Sequence, residues 1–100
     1  MAMIVLKTER ELDIMRTAGA IAAVVLNETG AFIRSGVTTK EIDDFAAARI
    51  RHYGAVSAFL GYKKYPCNIC ISVNDEVVHG IPGPRVLRSG DVVSIDIKLR

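Results

Sequence analysis

The residues Ile69-Cys70-Ile71-Ser72-Val73 alternate apolar and polar side chains with a period of two. That period belongs to a strand with one buried face and is incompatible with an amphipathic helix. Asn74-Asp75 follows as a turn, because both residues tolerate turn dihedrals and hydrogen-bond their own backbone. Val77 and Val78 then resume an extended chain that Gly80 and Pro82 close. The stretch from Cys70 to Pro82 thus predicts two short strands joined by a turn, with the imidazole of His79 at the exit beside a glycine that permits close backbone approach. Taken alone, His79 reads as a substrate contact or, more commonly for an isolated histidine, as an ordinary strand-end residue.

A second alternating run, Val92 to Leu99, is the clearest strand. Val93, Ile95, Ile97 and Leu99 share one face, and Val92, Ser94, Asp96 and Lys98 share the other. A carboxylate in the middle of such a run has to be paired or metal-bound if its face is covered. If the face is open to water, Asp96 is a polar residue on a half-exposed strand, the commoner case. Between the two runs, Pro82-Gly83-Pro84-Arg85 is too rich in proline for regular structure and Ser89-Gly90-Asp91 marks a turn.

Upstream the apolar period lengthens to that of a helix. Thr8-Glu9-Arg10-Glu11 has the form of a capping box, and Leu12, Met15, Ala18, Gly19, Ala22, Val25, Leu26, Thr29 and Ile33 recur at spacings of three and four. A long helix is expected, closed near Gly36, with Ala18, Gly19, Ala22 and Ala23 small enough to allow close packing. Thr38-Thr39-Lys40-Glu41 repeats the capping box ahead of Ile42, Phe45, Ala46, Arg49 and Ile50, and Gly54 is the expected stop. Asp43 and Asp44 are read as first-turn carboxylates and His52 as a last-turn base, each answering the helix dipole and carrying no chemistry. From Ala58 to Pro66 a short strand and an irregular loop are expected. Its aromatic residues Phe59, Tyr62 and Tyr65 form either a pocket wall or a lid over the core.

Helix, helix, then strands is the order of an α+β unit. With 100 residues, no internal repeat and no linker, residues 1–100 read as one domain. The charge balance, 13 basic against 11 acidic residues with no basic run longer than Lys63-Lys64, gives no footing for nucleic-acid binding. The longest apolar run, Ala18 to Leu26, falls well short of the roughly 20 residues a bilayer span requires. Met1 to Leu6 lacks the basic leader and hydrophobic segment of a secretory signal, so a cytoplasmic location is expected, with no membrane partner. Cys67 and Cys70 have a C-x-x-C spacing, but an odd separation within a strand sends the two thiols to opposite faces. A zinc ribbon or a thioredoxin-type redox pair is therefore not expected.

Taken together, Phe59-Leu60-Gly61-Tyr62, Tyr65-Pro66, the run Ile69 to Pro82 and Gly90-Asp91-Val92-Val93-Ser94-Ile95-Asp96 resemble the bacterial type I methionine aminopeptidases. The N-D-E-V-V-H-G-I-P segment followed by G-D-V-V-S-I-D carries the resemblance, which runs over essentially the whole chain. It implies half of a pita-bread fold, the amino-terminal half of the catalytic domain, with two helices packed on an antiparallel sheet. The activity it implies is metal-dependent removal of the initiator methionine from nascent, ribosome-associated chains. It further implies a centre of two divalent ions (Co, Mn, Fe or Zn) in the intact enzyme, with Asp96 as the first ligand and His79 as the catalytic histidine that contacts substrate. Phe59, Tyr62, Tyr65 and Cys70 correspond to the wall of the methionine side-chain pocket. The remaining ligands of the family, an aspartate, a histidine and two glutamates, lie beyond the position of Arg100. These residues alone are accordingly expected to be inactive, to bind no metal tightly and to self-associate. The sequence departs from the family at Lys63-Lys64, where a small residue is usual before the tyrosine, and at Cys67. The alternative from a different class is a non-catalytic pita-bread module that binds peptides or ribosomal partners, against which the retention of both Asp96 and His79 argues.

Overall fold

Thr38 and Glu41 show how closely local sequence dictates local structure in this chain. In the computed structural model, which describes residues 9–74 and 80–100 apart from the side chains of residues 9–15 and 63, the Thr38 side-chain oxygen accepts from the Glu41 amide at 3.1 Å. The Glu41 carboxylate accepts from the Thr38 amide at 3.0 Å, completing the expected capping box. The helix it starts, α2 (Thr39–His52), ends at Tyr53, and Gly54 follows with φ +74°, a left-handed turn that glycine adopts without strain.

The preceding helix, α1 (Glu9–Phe32), lies against α2. The expected cap at Thr8 falls outside the described residues. Val25 and Thr29 are fully buried along the α1–α2 seam, and the Phe32 and Phe45 rings stack at 4.4 Å. Arg49 grips Glu28 through two hydrogen bonds of 2.8 and 3.1 Å, and the Tyr53 hydroxyl donates to the same carboxylate at 2.7 Å. The apolar stripe read from the sequence is too wide: Leu26 is 42% exposed. One residue advances 100° around a helix, and α2 covers only the side that carries Val25 and Thr29. The helix also stops at Phe32, so Gly36 sits in a separate turn whose amide bonds the Leu87 carbonyl at 2.8 Å.

Two antiparallel strands, β1 (Cys70–Val73) and β2 (Val93–Asp96), lie beneath the helices in the register Cys70↔Asp96, Ile71↔Ile95, Ser72↔Ser94 and Val73↔Val93. Ile71 and Val73 join Val25, Val37, Ile42, Ala46, Ile50, Ile69 and Leu87 in one core. The regular strand β2 is shorter than the run Val92 to Leu99, but the chain stays extended. Lys98 accepts from Ala58 at 2.8 Å and Arg100 donates to Val56 at 3.0 Å. The strand expected after Ala58 is absent: pairing there is limited to the Ser57–Leu99 bridge, and Tyr62–Lys64 forms a single 3-10 turn. The cause is Ser57, whose hydroxyl accepts from the Phe59 and Leu60 amides and donates to the Asn68 carbonyl, curling the backbone away from the sheet.

The second strand of the expected hairpin, with Asp75, Val77, Val78 and His79, lies outside the described residues. Where the chain is described again, the Ile71 amide donates to the Gly80 carbonyl at 2.7 Å, so residue 80 runs beside the edge of β1 that β2 leaves free. The proline-rich connection then docks on the start of α2. Gly83 accepts from the Lys40 amide at 2.9 Å, and Arg85 accepts from the Thr39 amide at 3.0 Å, satisfying donors that a helix start leaves unpaired.

Candidate functional site

The register of the sheet brings two of the sequence-predicted site residues face to face. Cys70 and Asp96 are direct cross-strand partners, and strand alternation puts both on the face opposite the core, with Ser72 and Ser94. Cys70 is half-buried and Asp96 is exposed. Among the described residues no ion pair engages the Asp96 carboxylate, so the covered, self-paired alternative is not what the fold adopts.

Tyr65 closes one side of this site. Its hydroxyl lies 2.9 Å from the Ile69 carbonyl and 3.2 Å from that of Gly80, and its one proton is shared between them. Burial, and next its hydrogen bond with Cys70, push the phenol well above the usual tyrosine range, so Tyr65 stays neutral and acts as a donor. The Phe59 ring lies 5.8 Å from the Tyr65 ring, and the Lys98 ammonium lies 5.8 Å from the Phe59 centroid. Phe59, Tyr65, Cys70 and Asp96 are thus joined by successive contacts or strand pairing. Tyr62 stands apart on the 3-10 turn, 64% exposed, beside a cavity lined by Ala58, Leu60, Gly61 and Arg100. His79 falls outside the described residues, but its neighbour Gly80 is held tightly. A Cβ there would stand 3.1 Å from the Ser72 hydroxyl and 3.2 Å from the Ile71 carbonyl, at a backbone φ of +21°.

The residue that sequence reasoning missed is Asp43. Read as a first-turn carboxylate answering the helix dipole, it instead lies in the second turn of α2, is 3% exposed and faces inward. One carboxylate oxygen accepts from the amides of Asn68 and Ile69, both at 2.9 Å, and the other from the Asn68 side chain at 3.1 Å. It thereby fixes the segment that delivers Cys70 to the sheet. Its partners are 25 and 26 residues away, so no local pattern could have revealed them. Cys67 is a free, buried thiol whose acidity is weakened chiefly by burial, with its sulfur 3.8 Å from the Pro82 carbonyl. Cys70 is also free. Strand parity is not the reason, because β1 begins only at Cys70.

Residues 13–100 match metallopeptidase family M24. The chain belongs to this family. Among M24 relatives, methionine aminopeptidase 1 of Bacillus subtilis is 52% identical over 95 residues, which are 95% of this chain and 38% of that protein. The methionine aminopeptidase of Clostridium perfringens is 47% identical over 94 residues, 94% of this chain and 38% of that protein. The crystal structure of methionine aminopeptidase from Rickettsia prowazekii superposes with a TM-score of 0.89 at 38% identity, covering 97% of this chain and 39% of that one. The two helices and antiparallel strand pair are therefore an α+β part of the pita-bread architecture, and the chain spans about 38% of the length of the curated M24 relatives it matches. No described helix is long and apolar enough to cross a membrane.

Proposed function

We propose that this chain is the amino-terminal half of a metal-dependent aminopeptidase that removes the initiator methionine from nascent proteins in the cytoplasm. The observation that carries the reading is the Cys70↔Asp96 pairing, which puts a thiol and an exposed carboxylate side by side on the face of the sheet away from the core and supports a pocket-wall role for the one and a ligand role for the other. Phe59, Tyr65 and Cys70 would border the methionine side chain, whose flexible, polarizable thioether suits an aromatic and thiol wall. Tyr62, exposed on its separate turn, would contribute at the rim.

Asp96 would supply one oxygen ligand. Two divalent ions need several oxygen donors and bridging carboxylates, and the described residues bring together no group of three or more candidate ligands. Asp96 would form one corner of a dinuclear centre, whose other ligands would come from the longer chain. When bound, such ions acidify a shared water and polarise the scissile carbonyl. The chain's own contributions are orientation and exclusion of water. Tyr65 and β1 hold the Gly80 carbonyl, and His79, the residue before it in sequence, would be the substrate contact. The ions would be Co, Mn, Fe or Zn, the substrates the amino-terminal methionine of chains leaving the ribosome. In isolation the 100 residues would be inactive and self-associating.

Release of methionine from a Met-Ala-Ser peptide with Co²⁺ or Mn²⁺ tests this reading. A chain extended to the full length of its relatives should turn over, and Asp96→Asn in that chain should lower kcat/KM by at least about a thousandfold, since lost ligation removes the charge stabilisation on which the step depends. Robust turnover by the 100 residues alone, or a full-length Asp96→Asn variant with undiminished activity, would overturn it.

A further inference from the structure

Asp43 and Ser57 are both buried, each 3% exposed, and they grip one peptide group from its two ends. The carbonyl of Asn68 accepts from the Ser57 hydroxyl at 2.7 Å. The amide of Ile69, across the same C–N bond, donates to the Asp43 carboxylate at 2.9 Å. Ser57 in turn accepts from the amides of Phe59 and Leu60 at 3.1 and 3.3 Å. Every link therefore donates in one direction: Phe59 amide to Ser57 hydroxyl, hydroxyl to the Asn68–Ile69 peptide, peptide to a negative charge. Hydrogen bonds aligned head to tail polarise one another, and a carboxylate at the acceptor end strengthens the last of them. The foot of this chain is firm, because Asp43 is carried by α2, whose Ile42 and Ala46 are sealed in the core.

Phe59 lies at the donor end, and Cys70 follows the gripped peptide by one residue. Between them stands Tyr65, whose hydroxyl lies 2.9 Å from the Ile69 carbonyl and whose ring lies 5.8 Å from that of Phe59. We infer, resting on the proposed methionine pocket, that Asp43 and Ser57 are positioning residues that set the separation of its Phe59 and Cys70 walls. They thereby decide how strongly an unbranched side chain is preferred to a branched one. Both act from behind the wall, through the backbone that carries it. A hydrophobic pocket discriminates by roughly 10- to 200-fold per methylene, and only while its walls keep their spacing. The negative charge at position 43 matters to that spacing. Its second oxygen accepts from the Asn68 side-chain amide at 3.1 Å, so Asp43→Asn sets an NH2 group against a donor in either orientation.

The test is made in the chain extended to the full length of its relatives, by the ratio of kcat/KM for Met-Ala-Ser to that for Leu-Ala-Ser, with circular dichroism to verify folding. Both values scale with the folded fraction, so a merely structural loss leaves their ratio unchanged. Ser57→Ala, which cuts the hydrogen-bond chain in the middle, and Asp43→Asn should each lower the ratio about tenfold. Combining Asp43→Asn with Asn68→Asp re-forms the three bonds, with the side-chain amide now donating from the helix, and should recover most of the ratio. Val25→Ala, a buried truncation outside the hydrogen-bond chain, should lower stability and leave the ratio as it was. An active enzyme whose ratio is indifferent to Ser57→Ala and Asp43→Asn overturns this inference alone. So does a double exchange no better than Asp43→Asn, or a Val25→Ala variant whose ratio falls equally. An unaltered full-length chain that hydrolyses neither peptide overturns the proposed activity and takes this inference with it.

Discussion

β1 and β2 are paired to each other residue for residue, yet they sit in opposite circumstances. β1 is hemmed in: Ile71 is 2% and Val73 1% exposed, Gly80 flanks its far edge, and Asp43 and Tyr65 fasten the backbone that leads into it. β2 has half-buried apolar side chains and, among the described residues, one bonded edge. Cys70 belongs to the sealed strand and Asp96 to the more exposed one. On the proposed function, specificity and metal chemistry make different demands of the two strands. A side-chain pocket needs a fixed wall, while a ligand-bearing strand needs an accessible carboxylate.

The sharpest way to break this contrast is to remove Asp43. Asp43→Ala orphans the buried Ile69 amide and the part-buried backbone and side-chain amides of Asn68, and urea unfolding should show a loss of about 4 kcal/mol at fixed protein concentration. A loss below about 1 kcal/mol would mean that β1 is not held from α2. Paired truncations on the two strands come next. Ile71→Ala should cost about 3 kcal/mol, as a sealed isoleucine does. Its cross-strand neighbour Ile95→Ala should cost about 1 kcal/mol, because water already reaches part of the side chain. Equal losses would erase the distinction. Tyr65→Phe keeps the ring and deletes the shared hydroxyl, with an expected cost of about 1 kcal/mol. Faster amide exchange at Ile71 should accompany it, because that amide bonds the carbonyl the hydroxyl steadies.

Acid should act on both sides of the molecule. Glu28 is held below the usual glutamate range first by its hydrogen bond from Arg49 and then by that from Tyr53. Asp91 is held low first by the Arg88 amide and then by the Asn74 side chain. A carboxylate whose folded value is depressed stabilises the fold above its unfolded value, and that contribution is lost as pH falls through the folded one. Stability should therefore decline on acidification from the ordinary carboxylate range downward. Glu28→Gln and Asp91→Asn should each lower stability at neutral pH and flatten that decline, because the contribution that acid would titrate away is already missing. The smallest effect expected is in thiol chemistry: with its acidity weakened by burial, Cys67 should alkylate more slowly with iodoacetamide than the half-buried Cys70.

Much of this was legible where the determinants are local. The Thr38–Glu41 box, the stop at Gly54 and the two faces of the Val92–Leu99 run depend on residues within a few positions of one another, and all three are observed. What failed was non-local. The inward aim of Asp43 depends on amides 25 and 26 residues away, and the exposure of Leu26 depends on which flank of α1 its neighbour covers. The lost strand after Ala58 was decided by the Ser57 hydroxyl, a side chain able to compete with a sheet ladder for the backbone. For the site, alternation placed Asp96 on the face away from the core, but the identity of its neighbour across the sheet required the register itself.

That register has a consequence for how the chain finds its structure. Sliding β2 by a single residue would exchange its two faces and drive the Asp96 carboxylate in among Ile42, Ile71 and Val73, while Ile95 moved out to solvent. A bare charge in that oily interior is prohibitive. The carboxylate therefore proofreads strand alignment during folding, and misthreaded chains are rejected by the cost of burying it.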